Sequence, residues 1–138
     1  MIDYSTINYL GVLVAAIAGF VLGGVWFAPP VFGAAWMKAL GKKKEEMCSG
    51  NSPKKALILT AFTTWITAYV LAVLIVALNI SSAWGGAIAG FSIGLGILAT
   101  SSYSDSLFCN WPFRLILIQA GHRIASLALM GAILAAWR

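Results

Sequence analysis

Charge is what this sequence has least of. Asp, Glu, Lys and Arg together make up 9% of the 138 residues, against 61% hydrophobic. A soluble domain carries roughly 25% charged residues, because a water-facing surface needs them. That surface is missing here, so a soluble fold is excluded. The four acidic residues, one histidine and two cysteines narrow the chemistry too. Cys48 and Cys109 are too few and too far apart for a disulfide framework or a zinc site. One histidine, no membrane-embedded carboxylate and no activated nucleophile make a poor active site, so the chain reads as a non-enzyme with no metal or cofactor. Proton coupling by an intramembrane carboxylate has no residue to run it. Basic patches interleaved with aromatics are absent, which argues against a nucleic-acid partner.

What is present is long apolar runs. Four of them, at about 9–27, 56–78, 84–105 and 113–137, approach or exceed the about 20 residues that cross a hydrocarbon core. Backbone groups in lipid must pair internally, so each run is expected to be a helix. The expected fold is an all-α membrane protein: four transmembrane helices and one short interfacial helix, with the lipid bilayer as first partner. No Lys or Arg precedes the first run in Met1-Ile2-Asp3-Tyr4, so it lacks a signal peptide's positive start and reads as retained.

The punctuation between runs is legible. Pro29-Pro30 ends the first span. Residues 30–40 mix Phe32, Trp36, Met37 and Leu40 with Lys38, and read as a helix lying in the membrane interface, with Gly41 as its cap. The polar stretch 41–52 reads as a loop. Ser52-Pro53 announces the second span as cap plus first-turn proline. Asn79–Ser82 reads as a tight turn. Asn110-Trp111-Pro112 repeats the cap-plus-proline signal ahead of the fourth span.

Orientation follows from the lysines. Six of the nine basic residues, Lys38, Lys42, Lys43, Lys44, Lys54 and Lys55, cluster around the first connection. The positive-inside rule sets that loop in the cytoplasm and both termini outside. Trp84 and Trp137, with Tyr4 and Tyr9, then belt the outer boundary; Trp26, Trp36 and Trp111 belt the inner one. Arg138 is an exception. Both cysteines fall on the reducing side and are expected as free thiols.

Small residues recur four apart. Gly11, Ala15, Gly19 and Gly23 line one face of the first span; Gly86, Gly90 and Gly94 line the third; Ala128, Ala132 and Ala136 lie on the fourth. Such stripes let helix backbones approach where lipid offers no hydrophobic contrast. The pattern leaves open whether the partner helix is in this chain or another copy; a homo-oligomer is the expectation. The motif Ala16-Ile17-Ala18-Gly19-Phe20 recurs as Ala87-Ile88-Ala89-Gly90-Phe91. Either two parallel repeats of two helices each underlie this, or it is coincidence among apolar letters.

The polar constellation is in the fourth span. Gln119, His122, Arg123 and Ser126 share one helix face. Arg123 lies roughly 16 Å along the helix from Pro112, near the bilayer midplane. A central arginine costs about 2.5–3.5 kcal/mol on insertion scales, so it is expected to face the bundle interior or water. Asp105 is too far along the third span to pair with it; Arg114 is the better partner for Asp105. The second span offers Thr60, Thr63, Thr64 and Thr67 on one face, whose hydroxyls are placed to meet Gln119 and His122. If the repeat holds, Trp65 falls at the depth of Arg123, where a cation–π contact is possible. Two readings stand side by side. In one, these residues line a site for an anion or polar solute; in the other, they form a hydrogen-bonded plug that fixes helix register.

A family resemblance sits on two stretches. Leu22-Gly23-Gly24-Val25-Trp26-Phe27-Ala28-Pro29, then Phe32-Gly33 and Trp36-Met37-Lys38-Ala39-Leu40-Gly41, resembles the N-terminal signature of the bacterial domain-of-unknown-function 1761 family. Ser126-Leu127-Ala128-Leu129-Met130-Gly131-Ala132-Ile133-Leu134, on through Trp137, resembles that family's closing helix. The resemblance implies a small multi-span protein of the bacterial inner membrane and implies no activity. Where the family often has Gly-Tyr-His in the last span, this chain has Gly121-His122-Arg123, so Arg123 takes the register of the family's histidine. The function expected from all of this is a small oligomeric transport or channel-like module built around Arg123. The alternative is a non-enzymatic accessory subunit of a larger membrane complex, docked through its glycine stripes.

Overall fold

The structure, a computed structural model, describes residues 4–41 and 52–138. Most of the expected cytoplasmic loop, with Lys42, Lys43, Lys44 and Cys48, lies outside the described residues. The described chain is all helix, turn and loop. Four helices, α1 (Tyr9–Trp26), α3 (Pro53–Ala77), α4 (Ala83–Cys109) and α5 (Phe113–Ala136), are long and apolar enough to cross a membrane. A short helix, α2 (Ala34–Leu40), follows α1.

Helix ends follow from their caps. The Asn8 side chain accepts from the Gly11 N–H at 3.1 Å to open α1, and its amide donates to the Trp137 carbonyl at 2.9 Å. Ser52 accepts from Lys55 N–H at 3.2 Å to open α3, and Ser82 from Gly85 N–H at 3.0 Å to open α4. Each bond satisfies a backbone donor that the first helical turn leaves without a partner. Gly41, at φ 71°, closes α2 in the left-handed conformation that glycine adopts without penalty.

The α4–α5 connection departs from the expected pattern. Asn110 does not cap α5. It sits at φ 51° as the left-handed residue that ends α4, and Trp111 N–H closes back on Ser106 at 3.2 Å. Asparagine tolerates this conformation better than other residues with a Cβ. Helix α5 starts directly after Pro112 with no side-chain cap. Helix α4 also runs past the expected end at 105, through a π-helical segment at Gly94–Ala99.

Helix α5 is the hub. Helices α1, α3 and α4 all pack against it, α4 most extensively, while α3 and α4 barely meet. A parallel two-fold repeat would pair α4 with α3 as α1 pairs with α5, so the packing does not follow the sequence repeat. The glycine stripes explain the asymmetry. A Cβ on Gly86 or Gly90 would overlap the backbone of Gly131 or Leu127, and one on Gly94 would come within 2.8 Å of Ile124 Cα. From the other side, Gly19 faces Met130 and Ser126, and Gly23 faces His122. Both stripes therefore close on α5 of the same chain. On α5 the α4 stripe meets Ile124, Leu127, Gly131 and Ala135, and the α1 stripe meets His122, Ser126 and Met130, rather than the side chains of the Ala128, Ala132 and Ala136 stripe.

The largest buried cluster fills one half of the bundle. It joins Val12, Ala15 and Ala16 of α1, Ala68, Leu71, Ala72 and Ile75 of α3, and Leu127, Met130 and Leu134 of α5. All four buried residues of α3 lie in its second half. Its first half stands clear of the bundle, and a gap opens there between α3 and α5.

Candidate functional site

That gap is a cavity of about 400 Å³. One wall is α3, with Thr60, Thr63, Thr64 and Thr67. The facing wall is α5, with Gln119, His122, Arg123, Ser126, Leu127 and Met130. Phe27, Trp36 and Leu98 complete the lining. The two polar stripes read from the sequence therefore face one space, and all their members reach it except Trp65. Trp65 stacks between Phe62 and Tyr69, each at a centroid distance of 6.2 Å, and takes no part in the cavity wall. The cation–π contact with Arg123 is not made. Equal depth in the membrane did not mean the same helix face.

The threonines do not bond to Gln119 or His122 either. Thr60 donates to the Ala56 carbonyl at 2.8 Å, Thr63 and Thr64 both to Thr60 at 2.9 and 2.8 Å, and Thr67 to Thr63 at 3.0 Å. A helical threonine satisfies its proton most cheaply on its own preceding turn. Among the described residues Arg123 and Gln119 form no hydrogen bond or ion pair, and Arg114 does not pair with Asp105. Among the described residues no three His, Cys, Asp or Glu side chains come together. The cavity's chemistry therefore rests on a guanidinium, an amide, an imidazole and hydroxyls.

Five lining residues were not read from the sequence as site residues: Phe27, Trp36, Leu98, Leu127 and Met130. Phe27 and Trp36 were assigned to the end of α1 and to an interfacial belt. After Ala28, in extended backbone, Pro29–Gly33 forms a π-helical turn that lays α2 against α5. Gly33 is required in that turn, since a Cβ would collide with the Phe27 carbonyl. The signal was Pro29-Pro30, read as an ending rather than as a reversal. His122 is held in the aromatic corner so formed, 5.0 Å from the Phe27 ring and 6.1 Å from that of Trp26. The Trp26 indole N–H is tied to the Ile118 carbonyl at 3.1 Å. The Trp36 indole N–H and His122 Nε2 are buried and unpartnered.

Fold and site together define an all-α protein with four helices of membrane-spanning length and an arginine-bearing cavity between two of them. A family model described as "Protein of unknown function (DUF1761)" matches residues 10–135. The chain belongs to that family. No curated protein and no solved structure matches it.

Proposed function

We propose that this protein is a small transport or channel-like module of the bacterial inner membrane, taking an anionic or polar solute into the cavity between α3 and α5. One observation carries the reading: a threonine stripe and a glutamine–arginine stripe converge on a single space that holds an unpaired guanidinium. A register-fixing plug would spend these groups on one another, and they are not so spent. Arg123 supplies charge, Gln119 an oriented amide, and the threonine wall a hydroxylated path along α3. The proposed orientation keeps the lysine cluster in the cytoplasm and both termini outside.

The test is solute flux in reconstituted vesicles. Arg123→Leu is expected to abolish uptake of small anions without loss of the folded protein, judged by its elution and helical signal. Unchanged flux in that variant would remove the reading.

A second reading, an oligomer or complex partner, is favoured by the exposed first half of α3, including Leu57, Ile58, Phe62 and Trp65. The glycine stripes no longer offer the docking surface for it, because both are used within the chain. Co-purification of a stoichiometric heterologous partner would favour this reading.

A further inference from the structure

The hydrogen-bonding sense of the two walls narrows the solute, given the anion-site reading above. On α3 the four threonine protons are all committed to backbone carbonyls, at 2.8 to 3.0 Å. A carbonyl only accepts, so each hydroxyl must be the donor. What a threonine then offers the cavity is oxygen lone pairs. The α3 wall is an acceptor surface.

The α5 wall supplies the donors. Arg123 presents only donors, and the Gln119 amide adds two beside its acceptor oxygen. Neither side chain has a hydrogen-bond or ion-pair partner among the described residues. Among the described residues no carboxylate lines the cavity. A ligand that satisfies both walls needs an anionic end for Arg123 and a donor for the threonine oxygens. A simple carboxylate supplies the first and leaves the threonine wall unmatched. An amino-acid zwitterion supplies both, but its ammonium would lie near the Arg123 charge with no acid among the described lining residues to offset it. A carboxylate bearing a hydroxyl meets every condition.

We propose that the cavity binds a small hydroxylated monoanion of the 2-hydroxy acid class. Its carboxylate takes the Arg123 guanidinium, where two parallel N–H···O bonds are available. Its hydroxyl donates to the threonine oxygens of α3. The about 400 Å³ of space accommodates a three-carbon acid together with water, which occupies about 30 Å³ per molecule.

Three near-isosteric probes separate the ideas: lactate, propionate and alanine, titrated calorimetrically into the full-length protein in lipid nanodiscs at pH 7. Lactate is expected to bind roughly three- to tenfold more tightly than propionate, the gain from one added hydrogen bond, and more tightly than alanine. The double variant Thr64→Val, Thr67→Val keeps shape and removes two acceptors. It should bring lactate down to the propionate level measured on the same variant, with the fold judged intact by elution and helical signal. Arg123→Gln should lose both anions. Equal affinity for lactate and propionate, or a preference that survives the double variant, overturns the hydroxy-acid assignment while leaving an anion site standing. Tighter binding of alanine overturns it as well. If neither anion binds, the anion-site reading itself fails and the assignment falls with it.

Discussion

The indole N–H of Trp26 donates to the backbone carbonyl of Ile118 at 3.1 Å, pinning the end of α1 to the second turn of α5. The same ring lies against Gly121, where a Cβ would come within 3.2 Å of it. Trp26 thus does two things at once. It satisfies its own donor where water is scarce, and it sets the corner in which His122 is held.

Replacing Trp26 by Phe keeps most of the ring and deletes the donor. The expected cost is about 0.5–1.5 kcal/mol, the net value of one such bond. Thermal unfolding in detergent should show a lower midpoint with the helical signal unchanged at low temperature. An unchanged midpoint would mean the bond contributes nothing to stability.

The glycines should grade by what each one touches. Gly90→Ala drives a methyl into the Leu127 backbone, which cannot swing aside, and should cost about 1–3 kcal/mol. Gly19→Ala meets the Met130 sulfur at 2.8 Å, and a flexible thioether gives way, so the loss should be smaller. Gly24 has nothing within 4 Å of a would-be Cβ, and Gly24→Ala should be neutral or slightly stabilising. The order of unfolding midpoints across the three variants checks this; Gly90→Ala and Gly24→Ala behaving alike would contradict the packing.

The helices were legible in the sequence because length and apolar content decide them in lipid, and Ser52, Gly41 and Asn79–Ser82 marked their ends by local chemistry. The two polar stripes were legible for the same reason: spacing of three and four fixes a shared face. What spacing does not encode is which helix each face meets. Trp65 was assigned to the site by a depth inferred from the repeat, and Trp36 was left out because the packing of α2 on α5 depends on contacts made far away in sequence. Asn110 carried two compatible roles, N-cap and left-handed helix end, and only the path of the chain chose between them. The glycine stripes announced close contact but not that both would be used on α5.

Asn8 joins the two ends of the described chain. Its oxygen caps α1 at Gly11 and its amide holds the Trp137 carbonyl at 2.9 Å. Asn8→Ala removes both bonds, whereas Asn8→Asp retains an acceptor for the cap and loses the amide donor. The alanine variant should lose about 1–2 kcal/mol, from the cap and the tie together, and the aspartate variant less. Equal losses would assign the whole effect to the tie between the ends.

The proposed orientation has a direct chemical test in Cys109. The helices alternate in direction, so the α4–α5 turn lies on the same side as the α1–α3 connection that carries the lysines. Cys109 is exposed and unpaired at that turn, and after Cys48→Ser it is the only thiol in the chain. A membrane-impermeant maleimide should therefore label it in inverted inner-membrane vesicles and not in intact spheroplasts. Labelling in spheroplasts alone would reverse the orientation. It would also move the lysine cluster to the outer face, where the charge bias that motivates the assignment has no reason to place it.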